Sequence, residues 1–295
     1  MINTGNKNEF QNAFSASFSY YFDNFGNEEQ FFDSAKRWID DKYFLIVFGC
    51  SNKDHRGQHI LLFFSSQYFP VQEIRGYFKE GAYFAFRSDL FTGYSLRNKL
   101  KEFGFLEYSI QESMILSNND YRLIKNIFEL IDLETKMPMS ETQSKILISY
   151  LDLLLQHMQR FYQQLMEDKL NEFRALQKDF MSELHTLFDS KRKCLSLLPS
   201  LTLLSRKLNC TTRFLNDVSL KTSKNTAQYH IDNFIVKIAK ELLAETDLSV
   251  AEIAKKMQFD QPQSLTRLFK KKTRISPLDY RISIICQIYS QRNQH

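Results

Sequence analysis

Seven candidate contact residues fall within twelve positions near the C-terminus: Gln263, Thr266, Arg267, Lys270, Lys271, Lys272 and Arg274. Their types suit one kind of chemistry. Gln and Arg make paired hydrogen bonds to the exposed edges of adenine and guanine respectively. Lys and Arg neutralise phosphates without reading sequence. Spacing alone leaves a plainer alternative open, an amphipathic hairpin whose charged face is simply solvated.

These residues need elements to hold them. Ser249 stands three residues before Glu252, the spacing of a capping box at a helix start. Val250, Ile253, Ala254 and Met257 follow at helical intervals. Phe259 and Asp260 break the stripe, and Pro262 suits the first turn of a second helix. Leu265, Leu268 and Phe269 make that helix's apolar side. The polar residues lie opposite. Two short helices across a tight turn, the second with a wet basic face, form a helix-turn-helix, whose second helix can enter a major groove.

The string carried by Ile253, Ala254, Phe259, Arg267, Phe269, Lys270, Lys271, Ser276, Pro277, Tyr280 and Arg281 resembles the second helix-turn-helix of AraC/XylS-type bacterial transcription regulators. The chain departs from that pattern where the family usually carries glycine. Gln258 precedes the turn Phe, and Arg274 precedes the Ser-Pro pair. Leu265 stands where an aromatic is usual. The lost glycines imply a different cap or a strained left-handed residue at each turn.

The resemblance implies a second copy upstream. Pro199–Leu208 supplies a helix with Ser200 as cap and Leu201, Leu204 and Leu208 inward. Asn209 and Cys210 form the turn. Thr212–Leu220 supplies the reading helix, with Phe214, Leu215 and Val218 inward and Arg213, Asn216 and Asp217 outward. Asp217 in that position would repel phosphates. Thr226–Glu245 separates the two copies without glycine or proline. A helix of about 20 residues spans about 30 Å, close to the roughly 34 Å between successive major-groove faces.

Charge agrees with a polyanionic partner. Residues 191–295 hold 19 Lys/Arg against 8 Asp/Glu, a balance of +11, while the preceding residues hold 20 against 26, a balance of −6. Cys50, Cys194, Cys210 and Cys286 form no C-x-x-C pair, which argues for a reducing compartment and against zinc or disulfides. No signal-peptide core or bilayer-length apolar run is present, so a cytoplasmic chain without membrane attachment is expected. No P-loop, G-x-S-x-G or metal cluster is visible, and no enzyme activity or cofactor is expected. His55 and His59 read as strand-end or surface residues and His157 as structural, so no metal site is assigned.

All eight glycines lie at or before Gly104. Strands are expected at Tyr43–Cys50, His59–Phe64 and Ala82–Phe86, with a weaker one at Glu73–Phe78. Phe18, Tyr20, Tyr21, Phe22, Phe25, Phe31 and Phe32 read as a core layer without clear period. Helices are expected at Tyr121–Leu133 and after Ser140, where Ser140 and Gln143 again have capping-box spacing. Leu147, Tyr150, Leu151, Leu154, Met158, Phe161 and Leu165 form a long stripe suited to packing within the domain or to a dimer.

The expected fold class is α+β, mostly α. A small β-rich, cupin-like domain with following helices occupies residues 1–165, β-rich over about 40–116 and helical over about 119–165. A linker helix covers 166–190, and an all-α domain with two helix-turn-helix units covers 191–295. The resemblance implies a sequence-specific regulator that binds double-stranded promoter DNA, with an effector-sensing or dimerising N-terminal domain. It also implies a homodimer, RNA polymerase as a partner, a small-molecule effector and an activator's role. Gln263, Thr266, Arg267, Arg213 and Asn216 are expected to contact bases. Phosphate contacts are expected from Lys270, Lys271, Lys272, Arg274 and Lys224, with Lys191, Arg192 and Lys193 in the same basic pool. The alternative is a protein-interaction module on a degenerate helix-turn-helix scaffold.

Overall fold

The computed structural model describes residues 20–35, 43–51, 59–65, 77–87, 90, 100, 103–109, 112, 114–138, 140–189 and 194–292. The chain divides into two compact units, Met1–Asp168 and Lys169–His295. The first is α+β and the second almost wholly helical.

In the first unit, β1 (Tyr20–Phe25), β2 (Tyr43–Ser51), β3 (His59–Ser65), β4 (Phe78–Arg87) and β5 (Met114–Leu116) form one antiparallel sheet, in the order β1-β4-β2-β3-β5. Alternation along each strand loads both faces. Leu45 and Val47 of β2 lie opposite Ala85 and Tyr83 of β4 and, with Phe31 of α1 (Glu28–Ala35), fill one side. Phe48 and Phe22 face the other way and pack on Phe128 of α2 (Asn118–Thr135). Gly49 faces Gly81 across the β2–β4 pair. A Cβ on Gly81 would come within 2.2 Å of the Phe48 carbonyl oxygen, so the strands approach this closely only as glycines.

Residues 1–40 lack a periodic signal, yet β1 and α1 lie within them. Phe22 packs on Phe128 of α2, the Tyr20 hydroxyl donates to Gln143, and Phe25 and Phe31 meet with ring centroids 5.1 Å apart, so an aromatic-rich run carries no alternation to read. Phe18 lies outside the described residues, as does most of the strand expected at Glu73–Phe78; Phe78 itself opens β4. Among the described residues of the first unit the strands make one open sheet, and their pairing does not close it into a cupin-like barrel.

Ser117 caps α2 by accepting from the Asp120 amide. Ser140 likewise accepts from the Gln143 amide. Gln143 does not complete the expected capping box. Its side chain is buried, and its Nε2 donates to the carbonyls of Glu134 and Met137, 2.8 and 3.0 Å away. It thereby satisfies the open C-terminal end of α2 instead. In α3 (Glu141–Asp168), Leu147, Leu151, Leu154, Met158 and Phe161 are buried within the unit itself. The long stripe is therefore consumed by internal packing.

At one end of the sheet, beside α2, lies an open cleft of about 310 Å³. His59 stacks on Tyr121 there with centroids 3.5 Å apart, and its Nδ1 is buried without a partner. Burial holds the imidazole below its ordinary pKa, partly countered by Glu80. Among the described residues no His/Cys/Asp/Glu group could hold a metal ion, and no helix is long and apolar enough to cross a membrane.

The second unit contains α4 (Leu170–Thr186), a short hairpin of β6 (Phe188–Asp189) and β7 (Cys194–Leu195), then α5 (Leu201–Lys207), α6 (Thr212–Ser223), α7 (Ala227–Glu245), α8 (Val250–Lys256), α9 (Pro262–Thr273) and α10 (Pro277–Arg292). The long helix α7 is its spine. Ile231, Phe234, Ile235, Val236, Ile238, Ala239, Leu242 and Leu243 are all buried in one core with Leu204, Leu215, Ile253, Leu265 and Phe269.

The helix expected as a linker, α4, belongs to this core. Phe173 meets Phe214 edge-on at 5.6 Å, the Ser219 hydroxyl donates to Gln177 at 2.7 Å, and Phe180 and Leu184 are fully buried.

Candidate nucleic-acid interface

The second unit is an internal repeat, and its hydrogen bonds reveal the register. Ser200 caps α5 as Ser249 caps α8, 49 positions on. The Cys210 amide donates to the Ser205 carbonyl at 3.0 Å, and the Phe259 amide donates to the Ala254 carbonyl at the same distance. After the turn the offset becomes 50. The Lys224 amide donates to Leu220 as Arg274 donates to Lys270, at 3.0 and 2.9 Å. Thr226 caps α7 as Ser276 accepts from the Asp279 amide. One extra residue therefore sits in the second turn, just before Gln261 caps α9 through its backbone and Pro262 starts it.

Among the described residues, four other than glycine have positive φ: Asn209 at 51°, Lys224 at 62°, Gln258 at 62° and Arg274 at 70°. They are the turn and the terminal cap of each repeat. Gln258 and Arg274, standing where the resembled family usually has glycine, thus adopt the left-handed conformation with their side chains in place. That conformation costs an L-residue roughly 1–2 kcal/mol. The turns persist because the surrounding helices are anchored. Ser249 and Glu252 form the complete capping box, which holds the Glu252 carboxyl below its ordinary pKa. The Arg281 guanidinium donates to the carbonyls of Leu243 and Thr246, at 3.1 and 3.2 Å. It closes the C-terminal end of α7 with a cation, where the helix dipole favours one.

Leu265 and Phe269 seat α9 in the core. Its other side is open. Gln263, Arg267, Lys270, Lys271 and Arg274 are all exposed and recur at helical spacing. Ser264 is exposed beside them; a small hydroxyl carries no periodic or charge signal, so sequence reading missed it. Among the described residues the four cations of this stripe form no ion pair. Thr266 is half-buried, and its hydroxyl donates back to the Pro262 carbonyl at 3.2 Å.

Lys272 departs from the expected phosphate contact. Its side chain is 16% exposed, with Nζ 3.6 Å from an Asp232 carboxylate oxygen and 4.1 Å from the centre of the Tyr229 ring. Asp232 also accepts from Gln228. Asp232 and Tyr229 of α7 hold this ammonium against the spine, and Gln228 supports the carboxylate. It lies one position off the exposed stripe, and helical rotation turns it inward.

Helix α6 presents a different face. By the 50-residue offset, Arg213, Asn216, Asp217, Leu220, Lys221 and Lys224 match Gln263, Thr266, Arg267, Lys270, Lys271 and Arg274. Arg213, Asn216 and Asp217 were expected to face outward and are half-buried. The Arg213 Nε donates to Asp217 Oδ2 at 3.1 Å. The Asn216 Oδ1 is buried with no partner, so a paired contact to adenine requires its amide to rotate. Leu220 is 49% exposed where the second copy has lysine. Lys224 is exposed. Lys191, Arg192 and Lys193 lie outside the described residues.

Residues 204–283 match the model of a family described as a helix-turn-helix domain, and the AraC-type resemblance carried by Ile253 to Arg281 falls inside that span. Over 121 residues, 39% of this chain, the sequence is 26% identical to an uncharacterized HTH-type transcriptional regulator, YtdP, of Bacillus subtilis (strain 168). The match spans only 15% of that relative's length. Among solved structures, the C-terminal domain of the two-component response regulator yesN from Fusobacterium nucleatum is similar at 26% identity. The similarity covers 38% of this chain and 98% of that one, with a TM-score of 0.30. The DNA-binding domain of AdpA, a global transcriptional factor in complex with a target DNA, is similar at 20% identity. There the coverage is 40% and 94%, and the TM-score 0.31.

Proposed function

We propose that this chain is a sequence-specific DNA-binding transcription regulator. The observation that carries the reading is the exposed stripe of α9: four cations with no ion-pair partner among the described residues and one glutamine, on a helix seated in a capped helix-turn-helix. Unpaired clustered cations are costly in self-repulsion and gain most from a polyanion, whose condensed counterions they release.

In this reading Gln263, Thr266 and Arg267 meet base edges in one major-groove segment. Arg213 and Asn216 meet them in the next. Lys270, Lys271, Arg274 and Lys224 hold phosphates, while Lys272 stays with Asp232. Helix α7, with 19 residues, is about 28 Å long and separates the two readers by nearly one helical turn of DNA. The same reading assigns no enzyme activity, and it makes double-stranded promoter DNA the partner, with RNA polymerase reached on the same promoter. The N-terminal unit is then the sensing or dimerising end, and the cleft beside His59 and Tyr121 is the place for a small effector.

The test is a pair of substitutions in the full chain, read against a duplex selected from a random pool. Arg267→Ala should cost about 1–3 kcal/mol and relax discrimination at one base pair. Lys271→Ala should weaken selected and random duplexes alike and flatten the logarithmic salt slope by about 1. Equal losses on both duplexes for Arg267→Ala remove the base-reading role. Failure of the unmodified chain to bind any duplex at low salt returns the protein-interaction module as the better account.

A further inference from the structure

The repeat register places an aspartate, Asp217, where the second reading helix carries Arg267. Alone, a carboxylate there would be a defect in a DNA-facing helix, because it repels phosphates. It is not alone: its Oδ2 accepts from Arg213 Nε across one helical turn, and the two side chains are 17% and 35% exposed. We infer that Asp217 is a positioning residue that fixes the Arg213 guanidinium for guanine, so that the first helix-turn-helix specifies sequence while contributing little general affinity. The inference rests on the DNA-binding reading proposed above.

The geometry of guanidinium makes such positioning useful. An arginine carries five N–H donors in one plane. Engaging the Nε edge with a carboxylate one turn further along the helix sets the orientation of that plane. Guanine offers O6 and N7 side by side in the major groove, and a guanidinium presented in a fixed plane satisfies both together. A half-buried ion pair is also expensive to break once water is removed. Arg213 is therefore held back from the nearest phosphate, the competing partner for any flexible arginine near DNA. The remainder of the face agrees with a reader and not a clamp. Leu220 offers an apolar contact where Lys270 offers charge, and the Arg213–Asp217 pair is neutral where its counterpart, Gln263 with Arg267, carries a full positive charge.

Two effects of opposite sign follow for Asp217→Ala. Removing the negative charge should tighten binding to random duplex several-fold. Releasing Arg213 should at the same time reduce the preference for guanine, at one position of the first half-site, by about tenfold. Arg213→Ala should lose the same preference, and the double variant should lose no more than either single one. Asp217→Asn, which keeps the shape and a neutral acceptor, should fall between wild type and Asp217→Ala in guanine preference.

The measurement is fluorescence anisotropy of the full chain and each variant on the selected duplex, on its three single-base alternatives at every position of the first half-site, and on random duplex. A guanine preference unmoved by Asp217→Ala, or a uniform loss on all duplexes, overturns the positioning role. If Asp217→Ala does not fold by circular dichroism, Asp217→Asn carries the same test. Absence of sequence-selective binding by the unmodified chain defeats the underlying DNA-binding reading, a result distinct from both.

Discussion

Lys271 and Lys272 are adjacent and chemically identical, yet their surroundings are opposite. Lys271 is exposed and forms no ion pair among the described residues, whereas Lys272 sits against Asp232 and the Tyr229 ring. Lys272→Ala should lower the stability of the second unit by about 1–2 kcal/mol, because it removes a cation–π contact and strands a largely buried carboxylate. It should leave the salt slope of DNA binding unchanged. A normal melting transition with a flattened salt slope would return Lys272 to the phosphate contacts. The sequence separates these two lysines only poorly, since the run Lys270–Lys272 shows charge and not which member faces the spine. The exposed members, Arg267, Lys270 and Lys271, were legible because Leu265 and Phe269 mark the opposite face. Asp217 was legible as an oddity, but its pairing with Arg213 required the rotamers.

At the scale of elements, the two helix-turn-helix units are held by caps more than by favourable turns. Ser200, Thr211, Thr226 and Ser249 each accept a backbone amide at a helix start. The turns themselves run through left-handed Asn209 and Gln258. Gln258→Gly should therefore stabilise the unit by about 1 kcal/mol, and Asn209→Gly by somewhat less, since Asn tolerates that conformation better. Denaturant midpoints would show it, and a destabilising Gln258→Gly would contradict the strain. His230 closes the first repeat, with its Nε2 2.7 Å from the Ser223 hydroxyl, and burial lowers its pKa. A histidine kept neutral by folding costs nothing above its ordinary value of 6.5. Below that value the unfolded state binds the proton more readily, so stability falls with acidification. His230→Gln should flatten this slope below about pH 6.5, as read by melting temperature against pH. The caps and missing glycines were visible as residue types. Helix α4, read as a linker helix running into the DNA-binding domain, shows Phe173, Phe180 and Leu184 at helical spacing, but a single sequence does not show that α6 and α7 are the elements that cover them.

At the scale of the molecule, the sequence divides into a half that is easily read and a half that is not. The second unit announces itself through a basic charge balance, a 49- then 50-residue repeat and a glycine-free spine. Periodicity works there because each helix has one wet face. In the first unit both faces of the sheet are covered, by α1 and by α2, so aromatic runs such as Tyr43–Phe48 lose their alternation. The single open sheet, β1 and the true role of Gln143 were invisible for the same reason: each depends on partners far away in sequence.

The central claim is that α6 and α9 are two unequal readers carried by one rigid spine. A hydroxyl-radical footprint of the full chain on its selected duplex tests it most directly. The account predicts two protected segments with centres about one helical turn apart, roughly 10–10.5 base pairs, and Arg267→Ala should weaken one of them while leaving its position unchanged. Protection of a single segment, or of none, would contradict it.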